Sequence, residues 1–364
     1  MAHPTARAAE HGHLSVAAEP HVYRGASWQS RLLGFGLAHT VRPALDAWAR
    51  LPVDVFPPNL LDQVARLLPV EEGTHWRPVD LGRCGAELLH GPTVSPHRRH
   101  ERVILYFHGG AFLTCGLNTH RRLVARISDA AQQPVLNVGY RQMPYEPITE
   151  SVADGLEAFR WLLDQGHRAE DVTIAGDSAG GYLAFSVARA ALDAGLGRPA
   201  GVVALSPLLG TDAERKRQHR NAHRCQTFPL RALTRFADVA LRMDTRRGID
   251  GQRVCPVDMP VEDLPPALIQ IGSREILLAD AEYMASRLVR AGVPVDLQVW
   301  DRQVHVFQAA AGWVPEGRKA IAEIGQFVAG LAAQGQTQGA PAESAASHPA
   351  RVAVLRRGTR AAAG

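Results

Sequence analysis

The chain has 364 residues, of which 46% are hydrophobic, enough for one large domain with a buried core and a smaller accessory segment. Its 40 basic residues are nearly balanced by 36 acidic ones, and much of the small excess lies near the carboxyl terminus, so we expect no nucleic-acid partner. No apolar run approaches the roughly 18 to 20 residues of a membrane-spanning helix, and the first thirty residues lack the apolar run of a signal peptide. These patterns indicate a soluble, cytoplasmic protein without a membrane span.

The four cysteines are Cys84, Cys115, Cys225 and Cys255, and no two of them form a C-x-x-C pair. Cysteines scattered in this way predict neither a zinc site nor a disulfide framework. We therefore expect reduced thiols, no bound metal and no cofactor.

The first part of the chain, residues 1–73, has no strand pattern, and we interpret it as a helical cap rather than part of a sheet. Its predicted helical stretches are Trp28–Ala38, Pro43–Arg50 and Leu60–Leu68. The two segments that follow, 75–81 and 85–90, are candidates for antiparallel strands at the edge of a sheet.

From about residue 102 to residue 308, short β-branched runs alternate with amphipathic helical stretches, a pattern typical of a mostly parallel sheet covered by helices. The predicted strands are Arg102–Phe107, Val135–Tyr140, Val172–Ala175, Gly201–Ser206, Ala267–Gly272 and Val295–Trp300. The predicted helices cover about 119–132, 150–165, 179–194, 280–291 and 316–333.

The sequence thus predicts an α/β domain over residues 74–334. Within it, the segment of about 208–263 carries the helical stretch Pro229–Met243 and is expected to contribute to the cap. Residues 335–364 are poor in large apolar side chains, so we expect this tail to be disordered.

The sharpest motif lies at a strand-to-helix junction and reads GDSAG, residues 176–180. It follows the predicted strand VTIA directly and precedes the helical run YLAFSVARAAL. In a nucleophile elbow the serine lies on a strained turn between strand and helix, and the backbone packs too tightly for a Cβ two positions to either side. Ser178 is therefore the candidate nucleophile.

The loop after the first central strand reads HGGAF, residues 108–112. Backbone N–H groups aimed at a carbonyl oxygen that gains negative charge typically supply about 10² to 10³ in rate per donor. Glycines allow the chain to approach a substrate closely. We assign an oxyanion hole to the amides of Gly110, Ala111 and Ala179, with Gly109 shaping the turn.

A nucleophilic serine needs a histidine base, and the base needs a carboxylate that holds its tautomer. Among sixteen histidines, His305 lies just past the last predicted strand, where the chain order serine, acid, histidine places the base. The loop after the strand ALIQIG offers two acids. Glu275 lies near the strand end, whereas Asp280 is placed to cap the next helix, so Glu275 is the favoured acid and Asp280 the alternative.

Other histidines give weaker signals. His97 and His100 precede the first central strand. His219 and His223 have an H-x₃-H spacing that could mimic a metal site, but no carboxylate or cysteine accompanies them in the sequence.

Taken together, the segments HGGAF, GDSAG, GSREILLAD and VHVF resemble the hormone-sensitive-lipase-like family of bacterial carboxylesterases over about residues 80–330. The resemblance implies an α/β-hydrolase fold with a helical cap. It also implies a monomeric or homodimeric enzyme that hydrolyses small-molecule esters of short to medium acyl chains. The segment YRQMP, residues 140–144, is similar to the family's Y-R-x-x-P segment, which supports the active site from behind.

The sequence departs from the family pattern at three positions. Ala111 stands in place of the third oxyanion glycine, Glu275 stands where aspartate of a D-P-L-x-D pattern is common, and Gly139 replaces a frequent aspartate. Two other functions use the same fold: an acyltransferase or pathway-specific deacylase with the same triad, and a non-catalytic small-molecule receptor such as the plant gibberellin receptor. The receptor predicts a lost base, whereas His305 is present.

Overall fold

The computed structural model of the protein describes residues 19–51 and 60–338. In this part of the chain, nine strands form one sheet in the order β1-β9-β8-β7-β6-β4-β5-β3-β2. The strands are β1 His21–Tyr23, β2 His75–Asp80, β3 Gly85–His90, β4 Val103–Phe107, β5 Val135–Gly139, β6 Val172–Asp177, β7 Gly201–Leu205, β8 Ala267–Gly272 and β9 Val295–Trp300. The β2–β3 and β3–β5 pairs are antiparallel and the other six described pairs are parallel, so the predicted mostly parallel sheet is confirmed.

Helices cover both faces of this sheet. They are α1 Trp28–His39, α2 Val41–Trp48, α3 Leu60–Ala65, α4 Leu117–Ala131, α5 Ile148–Asp164, α6 Ala179–Asp193, α7 Glu214–Gln218, α8 Leu230–Arg247, α9 Leu278–Arg290 and α10 Pro315–Gln338. The described helices include none that is both long and apolar enough to cross a membrane.

The core follows from the alternation of side chains along each strand. In β4, Leu105 and Phe107 belong to the apolar cluster on one face, and Ile104 and Tyr106 belong to the cluster on the other. All five residues of β4 are buried because helices pack on both faces, as is usual for parallel sheets.

The six predicted central strands, the two edge strands and the five predicted helices are all present within a few residues of their expected bounds. The expectation that residues 1–73 contain no strand is wrong for residues 21–23, which form β1. β1 pairs in parallel with β9 at the edge of the sheet, and the ring of Tyr23 stacks on that of Trp300 with centroids 3.8 Å apart. A strand of three residues is too short to show alternation in the sequence.

Parts of the predicted cap segment and of the predicted tail lie outside the described residues. Residues 1–18 and 52–59 of the predicted cap segment lie outside them, as do residues 339–364 of the predicted disordered tail. Helix α10 continues to Gln338, so its last four residues, 335–338, lie within the predicted tail.

Candidate active site

Ser178 lies on the turn between β6 and α6, with backbone angles φ 53° and ψ −114°. This conformation is strained for a residue with a side chain. A Cβ at Gly180 would collide with the carbonyl oxygen of Phe107, and a Cβ at Gly176 would collide with the carbonyl of Gly180. The glycines of the GDSAG motif are therefore required by backbone packing, which fits the predicted nucleophile elbow.

The loop after β4 lies beside this turn. Gly110 has φ 119°, and a Cβ there would collide with the carbonyl oxygen of Thr114. Ala111 also has positive φ, at 55°, a region where a side chain costs roughly 1 to 2 kcal/mol. Gly110 and Ala111 line the same cavity as Ser178.

The backbone amides of the predicted oxyanion hole differ in their partners. The amide of Gly109 donates to Oδ1 of Asp177 over 3.0 Å, so it holds the loop in place. The amides of Gly110, Ala111 and Ala179 have no acceptor within the described ranges. The Gly109 amide is thus occupied by Asp177, and the assignment of the other three amides as oxyanion donors stays a prediction.

His305 and Glu275 come together across the ends of β8 and β9. Nδ1 of His305 lies 2.7 Å from Oε2 of Glu275, and both side chains are at least nine-tenths buried. The ring of Phe228 contacts the imidazole edge to face at 4.7 Å between centroids. His305 lines the cavity that also contains Ser178.

Two neighbours hold the Glu275 carboxylate, and sequence reasoning did not identify either. Its Oε1 accepts hydrogen bonds from the Gly272 amide and the Ser206 hydroxyl, both over 2.7 Å. Oγ of Ser206 also accepts from the amide of Val306, over 3.1 Å. Ser206 thus connects the acid to the residue next to His305; its position at the end of β7, beside the strand of the nucleophile, was the signal available in the sequence.

A further contact braces the loop that carries the acid. Asn221, in the segment between β7 and β8, donates from Nδ2 to the carbonyl oxygens of Ser273 and Glu275 over 2.9 and 2.8 Å. Nothing in the arginine-rich sequence around Asn221 indicated this contact.

Asp280, the alternative acid, lies elsewhere. Its Oδ2 is 2.6 Å from Nζ of Lys216, and both side chains are almost completely buried. It also accepts from the amide of Gly210 over 3.1 Å. The structure therefore brings Glu275, and not Asp280, to His305.

A second histidine and carboxylate pair lies behind the oxyanion loop, and sequence reasoning missed it. Nε2 of His120 is 3.2 Å from Oδ2 of Asp177, whose other oxygen accepts from the hydroxyl of Tyr106 over 2.8 Å. Burial alone would raise the pKa of Asp177, but the charge and hydrogen bond of His120 outweigh it and the pKa is lowered. Burial likewise opposes the charge on His120, yet Asp177 raises the pKa of that ring above its usual value.

His108 begins the same loop and is completely buried. Burial and the neighbouring His120 lower the pKa of His108 to about 4. Its Nδ1 lies 2.7 Å from the carbonyl oxygen of Gly109, and its ring stacks on Tyr140 at 4.4 Å. Tyr140 in turn donates its hydroxyl to the carbonyl oxygen of His108 over 2.7 Å, so the YRQMP segment supports the loop from behind, as the resemblance implied.

The cavity in front of Ser178 has a volume of about 610 Å³ and a mainly apolar lining. Helices α2, α3 and α8 supply much of this lining through Leu45, Trp48, Leu61, Val64, Leu233 and Phe236. Two polar contacts fix these helices. Asp62 of α3 accepts from the amide of Thr119 over 2.9 Å at the start of α4, and Asp46 of α2 pairs with Arg231 of α8 at 3.2 Å.

The remaining histidines singled out in the sequence lie away from this cavity. His219 contacts Glu282 at 3.2 Å, and His223 is exposed. His97 is exposed as well, while His100 contacts the carbonyl oxygen of Ser95. Within the described residues there is no group of three or more His, Cys, Asp or Glu side chains placed to hold a metal ion.

Comparison with known proteins gives consistent matches. A family model described as an α/β-hydrolase fold matches residues 104–309. The esterase LipU of Mycobacterium tuberculosis is 38% identical over 79% of this chain and 98% of its own length. The carboxylesterase/phospholipase LipF of the same organism is 36% identical over 84% of this chain and 82% of its own. A crystal structure of an esterase from the bacterial hormone-sensitive lipase family aligns with a TM-score of 0.71 at 30% identity, over 84% of this chain and 98% of that one.

Proposed function

The chain belongs to the α/β-hydrolase fold family, and on that premise we propose that it is a serine carboxylesterase acting on esters of short to medium acyl chains. One observation carries the proposal: strained Ser178 shares a cavity with His305, whose Nδ1 lies 2.7 Å from the buried carboxylate of Glu275. Relatives named as esterases and as a carboxylesterase/phospholipase support the same reaction class.

In the proposed mechanism, Oγ of Ser178 attacks the ester carbonyl while Nε2 of His305 takes the hydroxyl proton. Glu275 accepts from Nδ1–H of the same ring, which keeps Nε2 free as the base and stabilises the imidazolium. The carbonyl oxygen becomes an oxyanion held by the amides of Gly110, Ala111 and Ala179.

Collapse of this intermediate breaks the ester C–O bond, and His305 returns the proton to the leaving alcohol. The acyl group then remains on Ser178. Water attacks the acyl carbon with His305 again as the base, the acid leaves, and the serine hydroxyl is restored.

The acyl part of the substrate is proposed to lie in the apolar cavity of about 610 Å³, a volume within the usual range for small-molecule sites. Each buried methylene contributes about 0.8 kcal/mol, or roughly fourfold in kcat/KM. We expect kcat/KM to rise from acetate to butyrate and to level off once the acyl chain fills the cavity.

We further propose that α2 and α3 of the predicted cap segment 1–73, together with 208–263, act as a cap on a hydrolase domain of residues 74–334, whereas β1 of that segment belongs to the sheet. The apolar side chains of α2, α3 and α8 in the cavity lining support this division. Opening of this cap would admit the ester, and its closure would exclude water from the acyl group.

Location and assembly are also proposals. Cys84, Cys115, Cys225 and Cys255 are free thiols, which favours a reducing compartment such as the cytoplasm. We expect a monomer or homodimer. Cell fractionation and light scattering measure these two properties.

The direct test is hydrolysis of p-nitrophenyl acetate, butyrate and octanoate by the wild type and by Ser178→Ala and His305→Ala. Both variants should lose at least about 10³ in kcat. His223→Ala is the matched control, since this exposed histidine lies outside the cavity, and it should retain full activity. Turnover that survives in Ser178→Ala would overturn the proposal, and an ester product formed preferentially from added alcohol would indicate an acyltransferase instead.

A further inference from the structure

A second large cavity, of about 970 Å³, lies at the opposite end of the sheet from Ser178. Its lining includes Pro134 and Asp171, which directly precede β5 and β6. The oxyanion loop and Ser178 instead follow β4 and β6. Strands of five or six residues, at about 3.3 Å per residue, separate the two cavities by roughly 17 to 20 Å. The second cavity, called the basic cleft below, is therefore distinct from the candidate active site.

The basic cleft carries a net positive charge. Four arginines line it against the two carboxylates Glu101 and Asp171, and four histidines line it as well. Asp171 is already held by Arg168 at 2.8 Å. In the part of the chain that the structure describes, Arg77, Arg98 and Arg99 have no carboxylate within ion-pair distance. Three guanidinium groups thus face this cavity without a compensating acid.

The guanidinium of Arg99 reaches across the cleft. Its Nη2 lies 3.5 Å from the position that a Cβ of Gly166 would occupy, in the loop between α5 and β6. Both Arg98 and Arg99 are exposed in the loop before β4. Their side chains can therefore contact a ligand in the cleft without first breaking an ion pair with a carboxylate of the protein.

Histidines form much of the other wall. The register of β2 and β3 places His75 opposite His90, and the ring of His100 lies 5.9 Å from that of His90. Burial lowers the pKa of His90 to about 4, with further lowering from His100, Arg77 and His75. The groups facing His90 from β2 and from the loop before β4 are His75, Arg77 and His100, and an anion bound among them would oppose this lowering.

The indole ring of Trp161, in α5, completes the lining. Trp76 alternates with His75 and Arg77 along β2, so its indole lies on the other face of the sheet, with the Arg121 guanidinium carbon 4.7 Å from its ring centroid. An indole surface beside unpaired guanidinium groups suits a ligand that combines a flat or apolar portion with several negative oxygens.

We propose that the basic cleft binds a phosphate-bearing organic anion, with Arg77, Arg98 and Arg99 contacting phosphate oxygens and Trp161 contacting the organic portion. Arginine matches phosphate through paired, charge-assisted hydrogen bonds. The phosphate could belong to a free nucleotide or to a lipid headgroup, and the chemistry recognised in the cleft is the same.

The test is calorimetric titration of the full chain with ATP, with pyrophosphate and with vesicles of phosphatidylglycerol in phosphatidylcholine. The wild type should bind at least one of these probes saturably. The double variant Arg98→Gln/Arg99→Gln should bind it at least about tenfold more weakly, since each charge-assisted hydrogen bond is worth roughly 1.5 kcal/mol or more. Arg24→Gln/Arg290→Gln, an equal loss of charge at exposed positions outside the cleft, should bind within twofold of the wild type.

The probes separate the two sources of phosphate. Binding of ATP or pyrophosphate identifies a free anion, whereas binding of the anionic vesicles alone identifies a lipid headgroup. Histidine signals in NMR spectra give an independent measure, because the bound anion should raise the pKa of His90 from about 4.

Failure here is distinguishable from failure of the proposed esterase function. The double variant should hydrolyse p-nitrophenyl butyrate within twofold of the wild type, because the cleft and Ser178 lie at opposite ends of the sheet. Absence of saturable binding at millimolar concentrations of the free anions and with the vesicles would overturn the proposal. Equal binding by the double variant and the wild type would overturn it as well.

Discussion

Replacement of Glu275 by glutamine tests the assignment of the acid with little change in volume. In the wild type, Oε1 accepts from the amide of Gly272 and the hydroxyl of Ser206, while Oε2 faces Nδ1 of His305. In Glu275→Gln, the two donors should hold the amide oxygen on their side. The amide NH₂ then faces His305, and the ring must place its proton on Nε2 to accept this new donor.

The magnitude follows from that change of tautomer. An imidazole protonated on Nε2 cannot take the proton of Ser178, so the base is lost although the ring stays in position. Loss of the correct tautomer in serine hydrolases costs about 10⁴ in kcat, or roughly 5 kcal/mol of transition-state stabilisation. We expect kcat for p-nitrophenyl butyrate to fall by about this factor, with KM and the free energy of unfolding nearly unchanged.

Asp280→Asn is the matched control, because it also changes one buried carboxylate to an amide. It leaves Lys216 as a buried charge without its partner at 2.6 Å, so the folded state should lose about 3 to 5 kcal/mol. The fraction that remains folded in urea titrations should keep its kcat. If Glu275→Gln kept kcat within tenfold of the wild type while folded Asp280→Asn was inactive, the acid assignment would be refuted.

Three further predictions concern the loop behind the site, the elbow and the cavity. Folding raises the pKa of His120, so the native state holds more protons than the unfolded state above about pH 6.5 and stability falls as pH rises through the folded pKa. His120→Gln should remove up to about 1.4 kcal/mol per pH unit of that fall in urea titrations between neutral and alkaline pH; an unchanged slope would contradict the ion pair with Asp177. Gly180→Ala should destabilise the fold by about 3 kcal/mol, because the added Cβ would collide with the carbonyl oxygen of Phe107. Gly36→Ala, at a helix position with open space, should instead stabilise the fold by about 0.5 to 1 kcal/mol. Similar effects of both variants would argue against the collision with Phe107. Leu45→Trp should fill part of the apolar cavity. The kcat/KM for octanoate divided by that for acetate should then fall by about tenfold or more, equivalent to the loss of two buried methylenes. An unchanged ratio would place the acyl chain elsewhere.

Much of this architecture was predictable because its signals are local. The α/β-hydrolase fold is confirmed, since six strands and five helices follow from the hydrophobic pattern and the GDSAG and HGGAF motifs lie at strand ends. The elbow glycines were predictable for the same reason: each is required by backbone packing within the motif or against the adjacent strand. Ser178, His305 and Glu275 come together because parallel strands end at one edge of the sheet.

Other features depend on contacts between distant segments, which a single sequence does not encode locally. The Ser206 hydroxyl bridges Glu275 and the Val306 amide across 69 and 100 residues of sequence. The pair of His120 and Asp177 spans 57 residues. Strand β1 is three residues long and is stabilised by pairing with β9 and by the stacking of Tyr23. None of these contacts has a periodicity or spacing that would reveal it, although the position of Ser206 at a strand end marks that residue as a candidate.

The central claim is that Ser178 carries the acyl group during ester hydrolysis. The measurement that tests it most directly is acid quenching of the enzyme during turnover of p-nitrophenyl butyrate, followed by intact mass and peptide mapping. We predict a single butyryl adduct on the peptide that contains Ser178. The adduct should be absent in Ser178→Ala. It should accumulate in a variant with slowed deacylation, such as His305→Ala, when that variant is treated with the same ester over a longer time. A butyryl group mapped to another residue, or undiminished turnover in Ser178→Ala, would contradict the account.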